Sequence, residues 1–342
     1  MRTLRRILLL GNSMMPLPRL PRLLLPMLLL GGSTGWTAEP EGPTDSSDRS
    51  DYDVQGEYYG HLSGGVAVGV QVKGLGDRQF SGRVYIGGLP GNGWYGGSAP
   101  EVIEGRSIVG QTVLVLQNGR YRVAVRRGVM SLYDDRGQWL ANLLRVHRES
   151  PTLGARPPEN AVVLFDWRSP SPEHLESVRL TPDGFLERGA ETRARYGDLF
   201  LHVEFRTPWM PAARGQQRGN SGIYLQRRYE VQVLDSFGDA PEFNGAASLY
   251  RTNAPRINAA FAPGTWQTYD IDFQAARFDG AGRKVAPAIV SVWHNGVLVQ
   301  DHFALPNKTG AGRPEGPEPG PILFQDHHDP VVYRLIWIVP RP

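Results

Sequence analysis

The chain has no cysteine among its 342 residues. This excludes disulfides, iron–sulfur clusters, thiol catalysis and cysteine-ligated zinc. Stability must come from packed cores or a bound ion. Sustained helical periodicity is also missing, and so is any HExxH-type zinc motif. No apolar run is long enough to span a bilayer: the stretch at 23–30 is short and broken by Pro26.

A basic excess is lacking too, once its location is considered. The formal net charge is +3, but Arg2, Arg5, Arg6, Arg19 and Arg22 lie in the first 38 residues, which contain no acid. Without those five charges the rest of the chain carries −2, so the high isoelectric point gives no reason to expect a nucleic-acid partner. Arginines, an apolar core and small residues up to Ala38 follow the order of an export signal. A start at Met14 or Met15 would give a more usual signal length. Export to the periplasm, cell surface or medium is the expectation.

The chain is rich in turn formers, with 41 Gly and 28 Pro. The stretch "EPEGPTDSSDRSD" (39–51) reads as a flexible linker. From 52 to 149, alternating valines and the pair Asn118–Gly119 predict short strands and tight hairpins, a small antiparallel β domain with no catalytic cluster. A proline-bearing connector follows at 150–160. From 161 to 340 strand signals recur between Gly/Pro turns, and Asn295–Gly296 marks another hairpin. An all-β fold is predicted, the second domain being a sandwich or jelly roll.

Within that second domain the polar residues opposite each apolar face are distinctive. In "YEVQV" the apolar face is Tyr229, Val231 and Val233, leaving Glu230 and Gln232 opposite. In "LHVEFR" the residues opposite are His202, Glu204 and Arg206. In "YDIDFQ" they are Asp270, Asp272 and Gln274, and in "ILFQDH" Leu323, Gln325 and His327 share a face. Any antiparallel sheet with one wet face alternates in this way. The residue types favour more than solvation, because Glu, Arg, Gln and His suit sugar hydroxyls and proton transfer. Were these strands neighbours in one concave sheet, their side chains would converge on a groove. Asp235 breaks the alternation and is expected at a strand end or bulge. Trp209, beside two prolines in a loop, could stack on a sugar ring. His294, just before a tight turn, has a turn-capping alternative, and His328 reads as a surface turn residue.

Five segments, in order, carry a resemblance: "YGDLFLHVEFRT", "NSGIYLQRRYEVQVLDS", "WQTYDIDFQAARFD", "VWHNGVLVQDHFALP" and "GPILFQDHHDPVVYRLIWI". Together they resemble the 3-keto-disaccharide hydrolase domain family (DUF1080) over about 161–340. The preceding unit resembles an extension found in some exported bacterial relatives. The resemblance implies a concanavalin A-like jelly roll that cleaves glycosides already oxidised at C3. A base removes the C2 proton, an acid protonates the departing oxygen, and water then adds. Glu230 and His327 are the candidates for base and acid, in either order. Asp235 is a third, orienting one of them or binding an ion. Arg206, Asn220, Gln232, His294 and Gln325 would hold hydroxyls or the enolate oxygen, with Glu204 and Trp209 as further contacts. No cofactor is implied, although a divalent ion, Ca²⁺ or Zn²⁺, stays open. The expected partner is carbohydrate. Two other readings stand beside this one: a lectin-like module without catalysis, and a retaining glycosidase using Glu230 and Asp235 on unoxidised glycans. His328 stands where relatives often carry glycine, which leaves the shape of that turn open.

Overall fold

The computed structural model describes residues 51–107 and 114–341. The expected export signal and the linker up to residue 50 lie outside the described residues. Asp51, placed by sequence in the linker, is already helical and buried.

Among the described residues, eight strands of the first unit form one sheet: β1 (Gly56–His61), β2 (Ala67–Gly74), β3 (Gln79–Ile86), β4 (Glu101–Ser107), β5 (Leu114–Gln117), β6 (Tyr121–Arg126), β7 (Val129–Asp134) and β8 (Trp139–Val146). Each pairs with the next in sequence, and β8 returns to β1 through Glu57↔Val146, Tyr58↔Arg145 and Tyr59↔Leu144, closing a barrel. Closure removes the unpaired edges an open sheet would expose. Tyr58, Val68, Val70, Phe80, Ile103 and Leu132 are among the buried residues that fill it. Asn118–Gly119 joins β5 to β6, as the hairpin signal requires.

A sandwich follows. Its strands are β9 (Val162–Asp166), β10 (Leu175–Glu176), β11 (Leu186–Glu187), β12 (Glu191–Thr192), β13 (Leu199–Arg206), β14 (Ser221–Leu225), β15 (Tyr229–Val233), β16 (Trp266–Gln274), β17 (Ala288–His294), β18 (Val297–Leu305), β19 (Leu323–Phe324) and β20 (Val332–Pro340). A seven-stranded sheet runs β9-β20-β13-β16-β17-β18, with β11 also on β20. A five-stranded sheet runs β10-β12-β19-β14-β15. These non-sequential neighbours make a jelly-roll β-sandwich. Asn295 and Gly296 take φ of 50° and 76°, both left-handed, as a tight hairpin turn between twisted strands demands.

The core lies between the sheets. Leu201, Val203 and Phe205 of β13 and Tyr269, Ile271 and Phe273 of β16 join Ile223 and Leu225 of β14 and Tyr229, Val231 and Val233 of β15 in one buried cluster. Every apolar face read from alternation therefore points inward. The polar faces do not meet in one groove. Glu204 and Arg206 belong to the seven-stranded sheet and Glu230 and Gln232 to the five-stranded one, so they stand on opposite outer faces of the sandwich. Alternation separates inside from outside, but a sandwich has two outsides.

The connector crosses the outer face of the seven-stranded sheet. Ser150 Oγ bonds Thr268 Oγ1 at 2.5 Å, and Thr152 Oγ1 donates to Asp270 Oδ2 at 2.7 Å. His202 and Glu204 are thereby buried to 0% and 1% exposure, on a face that the alternation would leave wet. Among the described residues no helix is long and apolar enough to cross a membrane.

Candidate active site

The hairpin β14–β15 places Tyr224 opposite Glu230 and Gly222 opposite Gln232. On the other side of β14, Ile223 pairs with Phe324 and Tyr224 with Leu323, and the Gln325 N–H donates to Gly222 O at 2.8 Å. Outside the core, one row thus runs Gln325, Gly222, Gln232 and the next Leu323, Tyr224, Glu230. Gly222 contributes no side chain, and the Glu230 carboxyl leans into that gap. A Cβ at Gly222 would stand 2.4 Å from Glu230 Oε1.

Glu230 is 2% exposed. Its Oε2 accepts the Tyr224 hydroxyl at 2.7 Å, and its backbone N–H donates to Thr309 Oγ1 at 2.6 Å. Gly310, in the Gly- and Pro-rich loop between β18 and β19, passes so close that a Cβ there would meet Oε2 at 2.6 Å and the Tyr250 ring at 2.8 Å. Burial pushes the Glu230 carboxyl up to about 7, against the downward pull of the Tyr224 hydrogen bond. Burial, and then the Glu230 charge, raise the Tyr224 phenol, so it stays a donor. At neutral pH the carboxyl is about half protonated, a state suited to giving or taking a proton.

Carboxamides surround it. Gln232 Nε2 donates to Asn220 Oδ1 at 3.0 Å and to Gln216 Oε1 at 3.2 Å. With the Gln232 amide turned over, its nitrogen donates instead to Glu230 Oε1 at 3.1 Å. Asn220 Nδ2 donates to Gln216 O at 2.7 Å. Gln325 Oε1 is buried without a hydrogen-bond partner, an acceptor ready for a hydroxyl. His327 is exposed on the turn beyond Gln325. In that turn His328 takes φ of 72°, the left-handed conformation in which glycine is free of strain.

The remaining sequence candidates lie elsewhere. Asp235 is buried and ion-paired with the equally buried Arg218, Arg218 Nε to Oδ2 being 2.6 Å. Its break in alternation does re-aim the side chain, but towards a cation rather than towards Glu230. His294 is 1% exposed, with Nε2 at 2.9 Å from Gln267 Oε1. Burial pushes its imidazole down to about 3, so it is a neutral core histidine. Arg206 stacks over Trp266 and Phe185 on the other sheet. Trp209 meets Tyr52 in a T-shaped contact and lies against Gly74 of the barrel. Among the described residues no cluster of three or more His, Asp and Glu could hold a metal ion.

Sequence reasoning missed Tyr224, Gln216, Thr309 and the two glycines. A signal existed for Tyr224, which alternates against Ile223 and Leu225 and so had to leave the core. Gly222→Ala and Gly310→Ala are each expected to displace the carboxyl and lower turnover by about tenfold or more. Steady-state rates beside a melting curve check this.

No curated protein matches the chain. A solved structure described as "a putative glycosyl hydrolase from Parabacteroides distasonis ATCC 8503" is 31% identical with a TM-score of 0.50, covering 54% of this chain and 85% of the other. A second structure from that organism, described in the same words, is 15% identical with a TM-score of 0.39, covering 57% of this chain and 100% of its own. Fold and first neighbour make the chain glycosyl-hydrolase-like. The segment that builds the sandwich and holds Glu230, residues 160–339, matches the 3-keto-alpha-glucoside-1,2-lyase-like domain, and the protein belongs to that family.

Proposed function

We propose that the protein cleaves 3-keto-glycosides by elimination and hydration, with Glu230 as its acid–base group. The 3-ketone acidifies the C2 hydrogen. A base takes that proton, the electron pair passes through the enolate to expel the C1 oxygen, and an acid protonates the leaving group. Water adds at C1 and a proton returns to C2, so the balance is hydrolysis. One observation carries this reading: a buried carboxyl near neutrality, bonded to a phenol and flanked by amides that suit sugar hydroxyls. The family's description as a 1,2-lyase of 3-keto-α-glucosides supports elimination across C1 and C2. His327, exposed beyond Gln325, is proposed as the partner that exchanges protons with solvent.

A retaining glycosidase needs a second carboxylate about 5–5.5 Å from the first. Asp235, the sequence candidate for it, is committed to Arg218. A lectin would gain nothing from a carboxyl held near 7. Export remains part of the proposal and rests on residues 1–38 alone.

The test offers 3-keto-disaccharides and their unoxidised parents in deuterated buffer, followed by NMR. Cleavage of the keto forms only, with deuterium at C2, is the expected result. Turnover of the parents would replace this reading with the glycosidase, and binding without turnover would replace it with the lectin.

A further inference from the structure

The barrel grips two loops of the sandwich, and both flank the Glu230 strand. On the loop between β13 and β14, the Trp209 ring lies against Gly74 of β2, where a Cβ would stand 2.6 Å from the indole. Arg214 Nη2 donates to Leu75 O at 2.6 Å, and Arg218 Nη2 donates to Gly74 O at 3.2 Å. On the loop after β15, Lys73 pairs with Asp239 at 2.5 Å and Arg83 Nε donates to Gly238 O at 2.7 Å.

Arg218 is where these contacts meet the site. It is 1% exposed, and its guanidinium reaches the barrel through Nη2, the end of β15 through Asp235, and its own loop through Pro211 O at 3.2 Å. Its carbonyl accepts the Asp235 N–H at 3.1 Å, closing the staple from the backbone side. Gln216 and Asn220, on either side of it in sequence, are the residues that hydrogen-bond Gln232.

We propose that Arg218 is a positioning residue through which the docked barrel fixes the loop carrying Gln216 and Asn220, and so the amides that hold Gln232 beside Glu230. This gives the barrel a task that its filled, apolar interior does not otherwise suggest. A buried guanidinium bonded to three chain segments suits that task, because each bond it makes is lost if any segment moves. The kinetic consequence rests on the proposed sugar site at Glu230; the structural consequence does not.

The test uses the full chain. The double variant Arg218→Met/Asp235→Leu removes both charges together and leaves no unpaired ion in the interior. Hydrogen exchange at residues 209–220 is expected to quicken about tenfold or more, while β13 and β15 keep their protection. With a 3-keto-disaccharide, KM should rise by about tenfold, far more than kcat falls. Uniform loss of protection across the sandwich would make Arg218 a general stability residue and overturn the proposal. Unchanged exchange in the loop would overturn it as well. Should the double variant fail to fold, Arg214→Ala decides: it removes exposed bonds to Leu75 O of the barrel and to Pro211 O and Ala213 O of its own loop, and the same loop should exchange about threefold faster or the proposal falls. If the wild type turns over no keto-sugar, the functional reading fails while the exchange results still test the coupling.

Discussion

Replacing Glu230 with glutamine should nearly abolish turnover and, above neutral pH, make the protein more stable. Both effects come from one property. A carboxyl with an ordinary value of 4.5 is held at about 7 by burial. Because the folded value is raised, the group favours the fold most below pH 4.5, and this contribution is lost as pH rises through about 7. The gap is worth about 3 kcal/mol at pH 8.5. Glutamine keeps the shape and can still accept from Tyr224, but it carries no charge to desolvate. Denaturant unfolding of wild type and Glu230→Gln should therefore agree within about 1 kcal/mol at pH 4.5 and differ by about 3 kcal/mol at pH 8.5, the variant being more stable. On 3-keto substrate the same variant should lose a factor of about 10²–10⁴ in kcat. The wild-type rate should show a limb near pH 7 that the variant lacks. Equal stability at pH 8.5 would mean that the carboxyl is not perturbed, and its claim to a catalytic role would weaken accordingly.

The parts of this molecule that follow from local chemistry could be read before the structure. Period-two alternation named the core residues of β13, β15 and β16, and two Asn–Gly pairs named the hairpins β5–β6 and β17–β18. Barrel closure could not be read, since it depends on β1 meeting β8 across most of the unit, through pairs such as Tyr58↔Arg145. Nor could the assignment of strands to sheets. Glu230 and Glu204 look alike in their strands: each is an acid between apolar neighbours, expected to face outward. Only the strand order places one beneath the loop that carries Gly310 and the other beneath the connector. Asp235 shows the same limit from the other side, because its departure from alternation was legible while the cation it serves, Arg218, sits on a different loop.

That sealed face supplies the second large effect. Glu204→Gln is expected to cost about 3–5 kcal/mol, more than most changes at a catalytic centre, because it breaks a buried ionic chain. Asp270 Oδ1 lies 2.6 Å from His202 Nδ1, His202 Nε2 lies 3.4 Å from Glu204 Oε1, and Arg334 Nε bonds Glu204 Oε2 at 2.5 Å. The Gly154 N–H of the connector also donates to Glu204, and Trp337 stacks on His202 with ring centres 5.0 Å apart. Burial opposes the charge on His202, but hydrogen bonds with Asp270 and Glu204 outweigh it and hold the imidazole above its ordinary 6.5. Burial likewise opposes the Glu204 charge, yet His202, Arg334 and Gly154 hold its carboxyl below the usual range. The signs then fix the window. The stability from His202 is complete below pH 6.5 and fades as pH rises through its raised value. The stability from Glu204 is complete above pH 4.5 and fades as pH falls through its depressed value. Chemical denaturation across pH should show this fall on the alkaline side in wild type and a flatter profile in His202→Gln. Trp337 emission, quenched by the imidazolium beneath it, should brighten over the same alkaline range only in wild type. A Glu204→Gln protein within 1 kcal/mol of wild type would mean that water reaches this chain of charges, and the connector would then be a loose cover rather than a clasp.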